Sequence, residues 1–378
     1  MKKFLDCISI VGATPSKFHG TKKYVSTGAV ATTEIDESEV VEVTYEDRPS
    51  RANQSAEAGD ILFAKMQGTR KTLLLDSETE KNIYSTGFYA VRANPEVITT
   101  ECLYYLIDSE LFLAQKDKNC SGATQKAITN GGMAKIEISV PALSEQGILV
   151  DKLKHLTQLI SDKKKQLNLF DEIIKSRFIE MFGNEIYPVT PLINLIKEGA
   201  GLSYGIVQPG NDGTGDMGIL RPVDMVEGKI SAASIKYISR DIGDSFKKTE
   251  LTGDELLITV RGTTGITALT DGRFVGMNVT RGIAVIRYDR RKINPIYLKT
   301  YLNTDKSQRY IQEHTRGATL QQINLSDLRI QEIPVPPMTR QEKMAAFVEQ
   351  VDKSKFEIQQ SLEKLEILKK SLMQQYFG

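Results

Sequence analysis

Residues 138–183 read ISVPALSEQGILVDKLKHLTQLISDKKKQLNLFDEIIKSRFIEMFG, and residues 333–378 read IPVPPMTRQEKMAAFVEQVDKSKFEIQQSLEKLEILKKSLMQQYFG. The second stretch is the first one repeated 195 positions later (333 less 138), without a gap. Ile138-Ser139-Val140-Pro141 falls on Ile333-Pro334-Val335-Pro336, Gln146 on Gln341 and Leu167 on Leu362. Lys175-Ser176 falls on Lys370-Ser371, and Phe182-Gly183 on Phe377-Gly378. After the prolines, apolar residues recur at alternating spacings of four and three. The first copy runs Leu149, Leu153, Leu156, Ile160, Lys163, Leu167, Phe170, Ile174, Arg177, Met181. The second runs Met344, Val348, Val351, Lys355, Ile358, Leu362, Leu365, Lys369, Leu372, Tyr376. That spacing is the heptad seam of a coiled coil. Ser144 and Thr339 stand at equivalent N-cap positions, and Thr339 with Glu342 makes a capping-box pattern. Each helix, at roughly 36 residues, is about 54 Å long. Cations in one seam face apolar residues in the other, Lys163 against Ile358 and Lys355 against Ile160, an offset that can set partner and register. The helices are expected to pair antiparallel; the alternative is that each packs on its own globule.

The repeat continues upstream. Gly122-Ala123-Thr124 falls on Gly317-Ala318-Thr319, Ile128 on Ile323, Gly87 on Gly282 and Arg92 on Arg287. Gly59-Asp60 and Gly68-Thr69 match Gly253-Asp254 and Gly262-Thr263 one residue out of step. A register held through both strand-like and helix-like stretches marks a duplicated chain. The part before each helix carries short apolar runs bounded by turn residues, such as Asp60 to Ala64 and Glu255 to Val260, which read as strands. Helical patches, Glu101 to Lys116 and Pro295 to Gln312, are mixed with them. The expected fold class is α+β: two tandem α/β globular domains, 1–143 and 185–338, each followed by a long helix, 144–184 and 339–378, the helices antiparallel and the whole pseudo-twofold symmetric. If both globules read DNA, such a build predicts a bipartite target, its halves about one helical turn or somewhat more apart.

Composition narrows the classes. The chain has 378 residues, 40% hydrophobic and 26% charged, which fits globular domains rather than disorder. No apolar stretch nears the roughly 20 residues needed to span a bilayer, and Asp6 interrupts any signal-peptide core. A soluble cytoplasmic protein with no membrane partner is expected. Cys7, Cys102 and Cys120 are far apart, which argues against a disulfide framework or a structural zinc site. With a net charge of +1, a nucleic-acid reader would have to concentrate its cations on one surface.

The order globule, helix, globule, helix resembles the specificity subunits of type I restriction–modification systems. So do Val140-Pro141-Ala142-Leu143-Ser144-Glu145-Gln146 and Val335-Pro336-Pro337-Met338-Thr339-Arg340-Gln341-Glu342 before the helices. Gly59-Asp60-Ile61-Leu62, Tyr204-Gly205-Ile206-Val207-Gln208-Pro209-Gly210 and Val260-Arg261-Gly262-Thr263-Thr264-Gly265 add to the likeness. The resemblance implies two target recognition domains, each reading one half of a split, asymmetric site on double-stranded DNA. It implies helices that set the spacer and dock two methyltransferase (M) subunits, with two restriction (R) subunits in a complete nuclease. S-adenosylmethionine is expected on the methyltransferase partner, and no cofactor in this chain. The first globule departs from the pattern: it is shorter at its start and lacks the Tyr-Gly-x-x-Gln-Pro-Gly phrase.

Candidate DNA contacts follow from side-chain chemistry, since Arg can bond guanine bidentately, Gln can read adenine, and Thr and backbone N–H suit phosphate. One loop of each copy offers Lys65, Gln67, Thr69 and Arg70, or Arg261, Thr263 and Thr264. A second offers Thr124, Gln125 and Lys126, or Arg316, Thr319 and Gln321. Tyr204 and Gln208 complete the set. Each loop equally fits a plain Gly-rich turn with solvated side chains. The run Lys163-Lys164-Lys165 reads as a solvated or partner-facing helix face rather than a phosphate contact. Catalysis finds little support. His19, His155 and His314 lack metal-ligand spacing, no Asn/Asp-Pro-Pro-aromatic or Walker-type motif occurs, and Asp224, Glu227 and Lys229, the nearest approach to a nuclease cluster, read as surface residues. Two rival readings remain, a non-catalytic coiled-coil scaffold binding protein partners and a self-sufficient DNA-modifying enzyme.

Overall fold

The computed structural model describes every residue except Pro209, residues 211–214, Glu227, Ser234 and Thr319. The chain divides into two compact units, one made of residues 1–165 and 358–378, the other of 166–357.

In the first unit a twisted antiparallel sheet is built from β1 (Ile8–Val11), β2 (Ile61–Ala64), β3 (Thr72–Leu74) and β4 (Phe88–Ala93), in the order β1-β4-β2-β3. Ile61, Leu62, Phe63 and Ala64 are all buried, which is why this run carries no polar alternation. Two helices, α1 (Thr100–Ile107) and α2 (Glu110–Lys118), follow the sheet. Then α3 (Leu143–Phe182) begins, 40 residues long.

The second unit repeats the plan with β5 (Ser203–Tyr204), β6 (Leu256–Thr259), β7 (Thr267–Leu269) and β8 (Ile283–Ile286), ordered β5-β8-β6-β7. Helices α4 (Pro295–Leu302), α5 (Asp305–Glu313) and α6 (Met338–Phe377) follow. Strand register confirms a fixed offset: Ile61 pairs Val91 as Leu256 pairs Ile286. A second sheet repeats too, Lys22 facing Val43 as Met217 faces Ile238. The opening strands, where Lys2 faces Ile138 and Thr190 faces Ile333, stand 188 positions apart (190 less 2). The first globule is therefore seven residues shorter before the second sheet begins.

Two sequence expectations need correction, and one is refined. Each helical patch is two helices, because Ser109 and Thr304 interrupt it by accepting backbone N–H bonds from Phe112 and Ser307 as N-caps. The long helices begin at Leu143 and Met338, so Ser144 and Thr339 lie inside the first turn and the chain enters from Ala142 and Pro337. The identity match of Gly59-Asp60 to Gly253-Asp254 is one residue off the backbone register. Asp60 corresponds to Glu255, and both are buried carboxylates beside the equivalent arginines Arg92 and Arg287.

Within each unit, segments of the two long helices run antiparallel and also close the globule's core. In the first unit Leu149, Val150 and Leu153 share one apolar cluster with Met373 and Phe377, and with Phe4 and Leu103 of the globule. Lys164 meets Glu366 at 3.1 Å. In the second, Phe178 and Phe182 cluster with Met344 and Val348, and Lys355 meets Asp171 at 2.8 Å. Both packing alternatives thus coexist. The seam positions Leu156, Ile160, Leu167, Phe170 and Ile174 are half-buried, as are Ile358, Leu365 and Leu372, while Val351 and Leu362 are buried. Among the described residues no helix is long and apolar enough to cross a membrane.

Candidate nucleic-acid interface

The loop leaving β2 and the loop at residues 121–127 are more than fifty residues apart in sequence but adjacent in space. Gln67 N–H donates to the Lys126 carbonyl at 3.0 Å, and Ile128 N–H to that of Lys65 at 2.9 Å. The second unit repeats both bonds at equivalent positions, from Gly262 to Gln321 at 2.8 Å and from Ile323 to Val260 at 3.0 Å. These backbone clasps join the two candidate loops of each copy into one surface element. Glycine is required in the second loop: Gly122 and Gly317 have φ of 135° and 102°. A Cβ there would meet the Gln125 and Leu320 carbonyl oxygens at 2.4 and 2.3 Å. The repeated glycine of the two Gly-Ala-Thr phrases follows from that close approach.

The clasp leaves some candidates outward and commits others to the fold. Thr124, Gln125 and Lys126 are exposed, as are Gln67, Thr263, Gln321 and Gln208. Gln67 Nε2 donates to the Asp117 carbonyl at 3.2 Å, which orients its amide. Arg316 is largely exposed, 3.9 Å from Asp327. Arg70 instead grips the buried Asp108 carboxylate with two bonds of 2.8 and 3.0 Å. Lys65 is half-buried, donates to the Thr86 carbonyl at 2.8 Å and lies 4.5 Å from the Tyr89 ring centre. Burial pushes its ammonium below the usual lysine value. Thr69 turns its carbonyl inward to Lys116, and Thr264 shares a 3.0 Å hydroxyl bond with Thr315. Tyr204 is half-buried, and its hydroxyl accepts from the Leu325 N–H at 3.3 Å. Arg261 is half-buried, and its Nε has no partner. Thr319 lies outside the described residues.

Two features escape sequence reasoning. Lys116 is a completely buried cation beneath the first loop, and nothing in its local sequence marks it. An open cleft also adjoins the loop leaving β2 in the first unit and the loop leaving β6 in the second. In the second unit it measures ≈ 610 Å³ and is lined by Thr263, Thr264, Lys299, Lys355 and Asp171. The first unit has its counterpart of ≈ 750 Å³, lined by Arg70, Asp108, Lys369 and Lys370.

Among the described residues no cluster of three His, Cys, Asp or Glu could hold a metal ion. Asp224, expected at the surface, is fully buried and held by Arg221 at 2.9 Å; it closes the turn that Arg221 begins. Glu227 of the same trio lies outside the described residues.

Each unit thus presents outward amides and cations on two clasped loops. The family model of the type I restriction modification DNA specificity domain matches residues 10–169 and again 213–369. The chain is similar to the EcoBI specificity subunit of Escherichia coli, at 23% identity over 64% of this chain and 56% of that one. It thus spans little more than half the length of that relative. The MjaX specificity subunit of Methanocaldococcus jannaschii, itself a provisional assignment, is 23% identical over 83% of this chain and 76% of its own. Among solved structures, a chain from work on assembly and conformational transition of the type I R-M system superposes with a TM-score of 0.59 at 20% identity, covering 98% of this chain and 95% of that one. The S subunit from M. genitalium gives 0.51 at 13% identity, covering 100% and 95%.

Proposed function

Because the chain belongs to the type I restriction–modification DNA specificity family, we propose that it selects the DNA site for a methyltransferase complex and performs no chemistry itself. Each unit reads one half of a split site on double-stranded DNA through its clasped loops. The paired helices set the spacer and dock two methyltransferase subunits, which carry S-adenosylmethionine; two restriction subunits complete the nuclease form. The complex works in the cytoplasm, where the host DNA lies.

The observation that supports this most is the duplicated clasp. Two copies of one backbone arrangement, each presenting glutamine outward, Gln67 and Gln125 in one and Gln321 in the other, are what a protein reading two half-sites requires. Within the first copy, Gln67, Gln125 and Lys126 are the proposed base and phosphate contacts. Arg261, Thr263, Arg316, Gln321 and Gln208 serve the second. Lys65, Arg70, Thr264 and Tyr204 hold the loops in place.

The test is modified-base sequencing of the host genome with and without the gene. Loss of adenine methylation at one split motif on deletion is expected; an unchanged methylome in a strain that expresses the chain refutes the reading. Replacing Arg261 and Gln321 together by Ala is expected to abolish recognition of one half while the complex still assembles. Unchanged site selection in that variant would favour the protein-binding scaffold.

A further inference from the structure

The loop after β2 owes its shape to one side chain. Lys116, in the last turn of α2, is 0% exposed. Its ammonium donates to the carbonyls of Ala64 at 3.4 Å, Met66 at 3.0 Å and Thr69 at 2.8 Å. The neighbouring residue takes part as well, since the Asp117 carbonyl receives Gln67 Nε2 and its carboxylate stands 3.5 Å from the Lys116 ammonium. Carbonyls turned inward on both sides of Gln67 leave the loop little freedom to choose where that amide points.

Stability does not account for this cation. Burying an ammonium carries a desolvation cost that an apolar side chain of similar volume avoids, and such replacements are often neutral or stabilising. The second unit makes the same point. The position equivalent to Lys116, 195 residues on, is Ile311, which is buried in the apolar cluster of that unit. Its loop is held differently, by Gln308 Nε2 on the Gly265 carbonyl at 3.0 Å and by the Thr264–Thr315 bond. The shared fold accepts an apolar residue at this place, yet the first unit retains a lysine with three carbonyl partners.

We propose that Lys116 is the positioning residue for base discrimination in the first unit: it fixes the loop carbonyls and so aims Gln67 at the DNA. The inference rests on the reading of this loop as a DNA contact. The two units therefore shape their reading loops by different devices, and removing one device disturbs one half-site only.

The experiment compares Lys116→Met and Gln67→Ala in the full chain, assembled with its partners. Binding is measured to duplexes carrying single-base substitutions across each half of the motif. Thermal unfolding is followed in parallel, and Lys116→Ile, which borrows the residue of the second unit, replaces Lys116→Met if that variant does not fold. Lys116→Met is expected to lose roughly tenfold or more of its discrimination at a position in one half, the scale of one good base contact, with the other half as strict as before. A lesion spread equally over both halves overturns the proposal, because it marks a general folding role. Loss of discrimination in Gln67→Ala with none in Lys116→Met or Lys116→Ile also overturns it while leaving the loop a reader. If neither substitution changes discrimination, the loop is not a reader and both proposals fall together.

Discussion

Gln146 and Gln341 show how a single repeated residue ties a long helix to its globule. Both are buried. Gln146 Oε1 accepts from the Thr99 N–H at 2.7 Å, and its Nε2 donates to the Val97 and Pro141 carbonyls at 3.0 Å. Gln341 accepts from Asn294 N–H at 2.8 Å and donates to the Pro336 carbonyl at 2.7 Å. Gln341→Leu leaves these backbone groups unpaired and is expected to destabilise the second unit by about 2 kcal/mol, measurable by denaturant unfolding. Glu255 gives a pH handle on the same unit. Burial alone would raise its carboxyl, but hydrogen bonds from Thr252 and Thr270 and the Arg287 guanidinium outweigh it and hold the group below its ordinary value of 4.5. A depressed carboxyl contributes stability above the ordinary value and loses it as pH falls through the folded one. Acid unfolding of the second unit is therefore expected to steepen below pH 4.5, and Glu255→Gln to flatten that slope; equal slopes in the two proteins would show that Glu255 is not the group responsible. At this scale sequence reasoning saw identities but not duties. The match of Gln146 to Gln341 was legible, their clamp was not, because it depends on carbonyls brought close only by the fold. Arg70 illustrates the reverse, a plausible base reader whose partner, Asp108, is 38 positions away.

The long helices were the most legible elements, because their seam repeats over many turns and burial follows it closely. Where the periodicity was short, it misled: apolar spacing runs through Ser109 and Thr304, and only the caps formed there reveal two helices instead of one. The strands were readable as apolar runs, but their true equivalence, Asp60 with Glu255, was hidden by a glycine that moved one place along the chain. If the helices act as a ruler, a heptad inserted into each, after Lys165 and after Glu357 where the units divide, adds about 10 Å of helix. Modified-base sequencing should then find a spacer longer by about three base pairs. An unchanged spacer in a functional variant would rule out the ruler.

The duplication as a whole was plain from the sequence, and the family likeness covers both copies. The composition of each unit was not plain, since the repeat boundary and the packing boundary differ. The second unit is one continuous stretch, 166–357, whereas the first needs residues 358–378 to join 1–165. Met373 and Phe377 sit in the same apolar cluster as Phe4. During synthesis, which proceeds at about 5–20 residues per second, residues 1–165 must therefore wait for residues 358–378, which follow the whole of the second unit. The first unit cannot close its core until every residue of the second has been made, so birth order does not set folding order.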